Sequence, residues 1–125
     1  MVGFFLILGF SGPAAAATDV EIAVLASLSG PSVDLGIMSR DGATLAVEDI
    51  NKMGGIKSLG GAKVKLILAD ATSNVAQGPS VTERTISTNK LAGAIGYGMS
   101  QMTLTCLPVL EKAQVPLTGP PRSIS

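Results

Sequence analysis

Ser100 stands between an apolar run that ends at Tyr97 and a stretch with helical spacing, a placement from which a hydroxyl can act on a ligand. At the mouth of a helix, beside the N–H groups that the first turn leaves without partners, it can hold a carboxylate. The same hydroxyl can also simply cap the helix. Asp70 closes a second apolar run and stands either to cap the following turn or to touch a ligand. Gly96-x-Gly98 follows a run of strand type and precedes a helix, as phosphate-cradling glycines do. It lacks the third glycine and follows the third strand, not the first, so a plain tight turn is the better reading. Cys106 is the only cysteine; it lies in an apolar run and reads as a small core residue. There is no histidine to activate it, nor to serve as general base or metal ligand. Glu48-Asp49 and Glu111-Lys112 fit solvated helix faces. No pair of residues forms an acid–base or nucleophilic set, so we assign no catalytic residue, metal site or cofactor.

The elements that must position these residues are legible in the periodicity. In residues 36–56 (GIMSRDGATLAVEDINKMGGI), Ala43, Ala46, Val47 and Ile50 recur at i, i+3, i+4 and i+7, one face of a helix. The small residues Gly42, Ala43 and Ala46 predict close approach to a sheet beneath, and Gly54-Gly55 predicts the stop. Burying the stripe is worth several kcal/mol at roughly 25 cal/mol per Å². Strands are predicted over residues 20–26 (VEIAVLA), 63–69 (KVKLILA), 92–97 (AGAIGY) and 115–118 (VPLT). Further helices are predicted over residues 77–90, with Gly78-Pro79 in the first turn and Val81, Thr85 and Ile86 facing inward, and from about Ser100 to 113. Pro108 inside the latter predicts a kink or a late start. Alternating strands and helices with short connections give an α/β fold, a parallel sheet of βαβ units. Ligands of such sheets bind outside the carboxyl ends of the strands, here residues 27–36, 98–101 and 119–123, all rich in Ser, Gly and Pro.

The chain of 125 residues is enough for one domain. Nine basic and nine acidic residues balance, so no field favours nucleic acid or an anionic membrane. Three phenylalanines fall within the first ten residues and Tyr97 is the only later aromatic, so stacking platforms for single-stranded nucleic acid are lacking. Residues 1–17 are uncharged: an apolar run from Val2 to Phe10, a break at Ser11-Gly12-Pro13, and a small-residue cleavage site of A-x-A type before Thr18. This reads as a secretory signal peptide, although it lacks the usual basic start. The run is too short to span a bilayer, which takes about 20 residues. A buried N-terminal element is the alternative. With no cysteine at the cleavage site, a lipid anchor there is excluded.

Taken together, Leu28-Ser29-Gly30-Pro31, Gly36, Asp41-Gly42-Ala43, Glu48-Asp49-Ile50-Asn51-x-x-Gly54-Gly55-Ile56, Asp70, Ile95-Gly96, Ser100 and Glu111-Lys112-Ala113-x-Val115-Pro116 resemble the start of type I periplasmic binding proteins. The nearest group is the branched-chain amino-acid (leucine, isoleucine, valine) receptors of ABC transporters. The resemblance covers nearly all of residues 18–125, and its motifs are specific as a combination rather than singly.

That resemblance implies two α/β lobes joined by three crossover strands and closing on a ligand. Residues 18–125 would be the N-terminal part of the first lobe, with the second lobe absent. Ser100 then matches the serine that holds the ligand carboxylate, with Gln101 beside it, and Leu35 a position touching the ligand side chain. Ser123 falls where the family places a hydroxyl near the ligand ammonium. Pro121 stands where a backbone N–H normally meets the carboxylate, and proline has none. Thr72 and Met99 occupy the positions of a disulfide that some members carry. The implied function is that of a periplasmic or secreted solute receptor, its partners a small amino acid or amide and a membrane permease, with no span in the mature chain. An amide- or urea-type sensor of the same fold is the alternative; a small α/β enzyme is a third reading that the missing histidine opposes.

Overall fold

The computed structural model describes residues 17–119; the predicted signal peptide falls almost wholly outside them. Four strands and three helices alternate: β1 (Val20–Ala26), α1 (Val33–Lys52), β2 (Val64–Asp70), α2 (Gly78–Thr88), β3 (Leu91–Gly96), α3 (Ser100–Lys112) and β4 (Leu117–Thr118), with a short 3-10 turn at Lys57–Leu59. All pairings are parallel and the sheet order is β2-β1-β3-β4. The register sets Ala26 beside Asp70 and Leu25 beside Gly96.

The two faces of β1 explain how the layers divide. Its successive side chains point to opposite sides. Ala23 and Leu25 join Ala94, Tyr97, Met102, Cys106 and Leu110 in the core beneath α2 and α3. Val24 and Ala26 face Ala43 of α1 on the other side. Because β1 is covered on both faces, it reads as a continuous apolar run rather than an alternating one.

The helix predicted over residues 36–56 begins three residues earlier and ends at Lys52, with Met53 as its cap. Gly54 and Gly55 follow at φ +98° and +77°, the left-handed backbone that ends a helix at little cost in glycine. Ala43 is buried and Val47 and Ile50 are half-buried, but Ala46 is exposed and nothing lies over Gly42. The close approach occurs instead at Gly36, where a Cβ would collide with the Ser27 carbonyl. The period of 3.6 drifts along a 20-residue helix, so its buried stripe is narrower than the residue types suggest.

In α2 the buried positions are Gly78, Thr82 and Thr85, whereas Val81 is half-buried. Thr82 is tolerated inside because its hydroxyl donates to the Gly78 carbonyl at 2.8 Å and pairs with the Tyr97 hydroxyl. Helix α3 starts at Ser100 and runs through Pro108 to Lys112, so the start is not late. Strand β4 pairs only at Leu117 and Thr118, two of the four residues predicted. Cys106 is fully buried, as a core residue.

Candidate ligand site at the carboxyl edge of the sheet

The strand order makes β1 and β3 neighbours whose connections leave in opposite directions, β1 into α1 on one face and β3 into α3 on the other. In an open parallel sheet this reversal opens a crevice outside the strand ends. It lies here between residues 27–35 and 97–100.

Most polar groups on this edge are committed to holding the loops. The Ser27 hydroxyl donates to the Thr72 carbonyl at 2.6 Å. Asp70 Oδ1 accepts from the amides of Leu28 (2.9 Å) and Thr72 (2.8 Å). Ser73 Oγ accepts from the Ser32 amide at 3.0 Å and donates to the Ser29 carbonyl at 2.9 Å. Gly30, at φ +85°, passes so near that a Cβ would lie 2.8 Å from Ser73 Oγ. Partial burial alone would raise the Asp70 carboxyl; hydrogen bonds from Ser29, Thr72 and Leu28 outweigh it and hold the group below its ordinary value. Of the two roles open to Asp70, its contacts are those of a cap, extended to the neighbouring loop. The clamp role of Ser73 was not foreseen: Asp70-Ala71-Thr72-Ser73-Asn74 signals a turn, but nothing local names a partner some forty residues away.

Ser100 differs from these. It is the first residue of α3, not its cap; Met99 holds that position, in extended conformation and with no side-chain bond to the helix. Ser100 is half-buried, and its hydroxyl makes no hydrogen bond among the described residues. The Thr103 amide reaches the Met99 carbonyl at 3.1 Å, so the amides before it have no acceptor within the helix. A hydroxyl and free amides at a helix start are a carboxylate-holding set. Leu35, half-buried in the first turn of α1, presses on Gly98 from the other side of the crevice.

The structure therefore brings Leu35 to the loop that leads into Ser100. Gln101 is exposed; its carbonyl accepts from the Thr105 hydroxyl at 2.8 Å, and its side chain makes no hydrogen bond among the described residues. Pro121 and Ser123, the remaining predicted ligand contacts, lie outside those residues. Depressions of about 570, 560 and 290 Å³ occur at the opposite edge, between α2 and α3, and on the sheet face beside β4. None of the three includes Leu35 or Ser100.

Residues 19–125 match the protein-family model described as Periplasmic binding protein. The chain is 36% identical over 106 residues to Leu/Ile/Val-binding protein homolog 7 of Brucella abortus, spanning 85% of this chain but only 26% of that protein. It is 32% identical over 100 residues to an amino acid binding protein of Pseudomonas aeruginosa, 80% of this chain and 26% of that one. Among solved structures, the branched-chain amino acid transporter substrate binding protein LivJ of Streptococcus pneumoniae, in complex with isoleucine, superposes with a TM-score of 0.76 at 29% identity, over 82% of this chain and 28% of LivJ. The leucine binding protein LivK of Thermotoga maritima gives 0.70 at 27%, over 80% and 27%. The chain thus spans about a quarter of the relatives it matches, and along that quarter sequence and fold agree: it belongs to the periplasmic binding protein family.

Proposed function

We propose that this chain is the N-terminal part of the first lobe of an extracytoplasmic receptor that captures a branched-chain amino acid, or a similar small zwitterion, for the membrane permease of an ABC importer. The observation that carries the reading is the Ser100 hydroxyl, unbonded among the described residues, at the start of α3, two residues from the Gly98 that Leu35 of α1 packs against. Carboxylate chemistry stands on one side and an apolar side chain on the other, the two ends of such a ligand. The names of the relatives support the ligand class, and residues 1–17 support export. Among the described residues no helix is long and apolar enough to cross a membrane. A binding role, rather than a catalytic one, is supported by the family to which the chain belongs and by the hydroxyl and free amides at the start of α3. Calorimetric titration of the complete two-lobed protein with leucine, isoleucine, valine, acetamide and urea tests the reading. Micromolar binding of at least one branched-chain amino acid is expected. Binding of only the amides would transfer the protein to the sensor class, and no binding of any would reject the receptor.

A further inference from the structure

Tyr97 is the only aromatic residue among those described, and it is the last residue before the Gly98-Met99-Ser100 segment. Its side chain turns away from the crevice into the core between α2 and α3, where only 5% of it remains exposed. There its hydroxyl pairs with the hydroxyl of Thr82, which is fully buried and also donates to the Gly78 carbonyl. The thiol of Cys106, in α3, faces the same hydroxyl. Burial pushes the phenol far above its ordinary value, so it stays neutral and serves only as a hydrogen-bonding group. An apolar residue would fill this space without needing polar partners, and a buried hydroxyl left alone is costly. What the pair adds over apolar packing is direction: it fixes the ring of Tyr97 at one distance and orientation from α2. The backbone from Tyr97 to Ser100 is tied to α3 through the Met99 carbonyl, which accepts from the Thr103 amide at 3.1 Å and the Thr103 hydroxyl at 3.2 Å; the hydroxyl pair adds the tie to α2. The N-cap Met99 makes no side-chain bond, and Gly98 has no side chain to anchor it.

We propose that the Thr82–Tyr97 hydroxyl pair is a positioning device that holds the Gly98–Ser100 segment, and with it the α3 amides, in ligand-holding geometry. Its link to ligand affinity rests on the Ser100 reading given above; the device itself does not. Tyr97→Phe is the informative change, because Thr82 keeps its bond to Gly78 and, besides the pair, only the weak contact with the Cys106 thiol is lost. In the complete two-lobed protein, Tyr97→Phe and Thr82→Val should weaken leucine binding by about threefold to tenfold, as for one neutral hydrogen bond, and Thr82→Ser should restore it. The ratio of leucine to leucinamide affinity should fall as well, because the loosened segment is the one that grips the carboxylate. Hydrogen exchange supplies a readout that needs no ligand: the amides of residues 103–105, the first bonded ones of α3, should exchange faster in Tyr97→Phe while those of β1 stay unchanged. Unchanged exchange at 103–105, or a uniform rise across the sheet, would overturn the device. A local exchange effect in a protein that binds no amino acid would support the device and reject the receptor reading.

Discussion

Leu35 occupies the space that a side chain on Gly98 would need: a Cβ built there would sit 3.0 Å from the Cβ of Leu35. Leu35 lies in the first turn of α1 and Gly98 in the loop after β3, segments that leave the sheet toward opposite faces and meet at the crevice. Leu35→Ala should lower the affinity of the two-lobed protein for leucine relative to alanine by about 1–2 kcal/mol, from lost apolar contact. Titration with both amino acids checks this, and an unchanged ratio would move Leu35 out of the site.

Ser100→Ala should weaken binding of the amino acid by about 1–3 kcal/mol, the worth of a hydrogen bond to a charged group. Because Ser100 does not cap α3, thermal stability without ligand should stay within about 0.5 kcal/mol. Equal affinities for wild type and variant in calorimetry would remove Ser100 from the site.

The two glycines of α1 predict opposite signs. Glycine inside a helix costs about 1 kcal/mol relative to alanine, so Gly42→Ala, with open space around it, should stabilise by about 0.5–1 kcal/mol. Gly36→Ala gains the same propensity but drives a methyl into the Ser27 carbonyl, which is backbone and cannot swing away. It should destabilise by about 2 kcal/mol or more, or prevent folding. Denaturant unfolding of the two variants side by side checks both signs.

Asp70 predicts an acid-sensitive contribution. Its folded carboxyl lies below the ordinary 3.8, so on acidification the unfolded chain takes up this proton first. The stability that the group supplies is therefore complete above about pH 5 and is lost as pH falls through about 4 and then through the lower folded value. Asp70→Asn should lose up to about 1 kcal/mol at pH 7 and progressively less as the pH falls below 4. Equal losses on both sides of that pH in urea melts would show that the clamp does not depend on the charge.

Elements with a strong period were legible in the sequence. Strand β1 was bounded to the residue, because a β-branched run between a charged segment and Ser-Leu-Ser-Gly-Pro admits little else. The glycine stop of α1 followed from the chemistry of Gly54-Gly55. Which small residue meets the sheet did not: Gly36, Gly42 and Ala46 differ in nothing local, and only tertiary packing sends the first inward and the others out. The same limit hid Thr82, whose polarity marked it for the surface until a hydroxyl fifteen residues away supplied its partner. In the site, Ser100 was visible as a hydroxyl between a strand and a helix, but its choice between cap and ligand group depended on where the helix began. The clamp between Ser73 and the loop after β1 was invisible, since it joins segments 41 and 44 residues apart.

The strand order also dictates when a binding surface can exist during synthesis. β1 and β2 can pair once about the first 70 residues are available, through the crossover that α1 makes between them. The crevice has to wait for β3 to insert on the far side of β1, bringing residue 98 against residue 35 across some sixty intervening residues. Closing so long a loop is slow relative to local pairing, although its entropy grows only logarithmically with length. The two walls of the crevice therefore meet in the same step that brings Leu25 and Ala94 into one core. Until β3 is in place, residues 35 and 98 have no crevice between them.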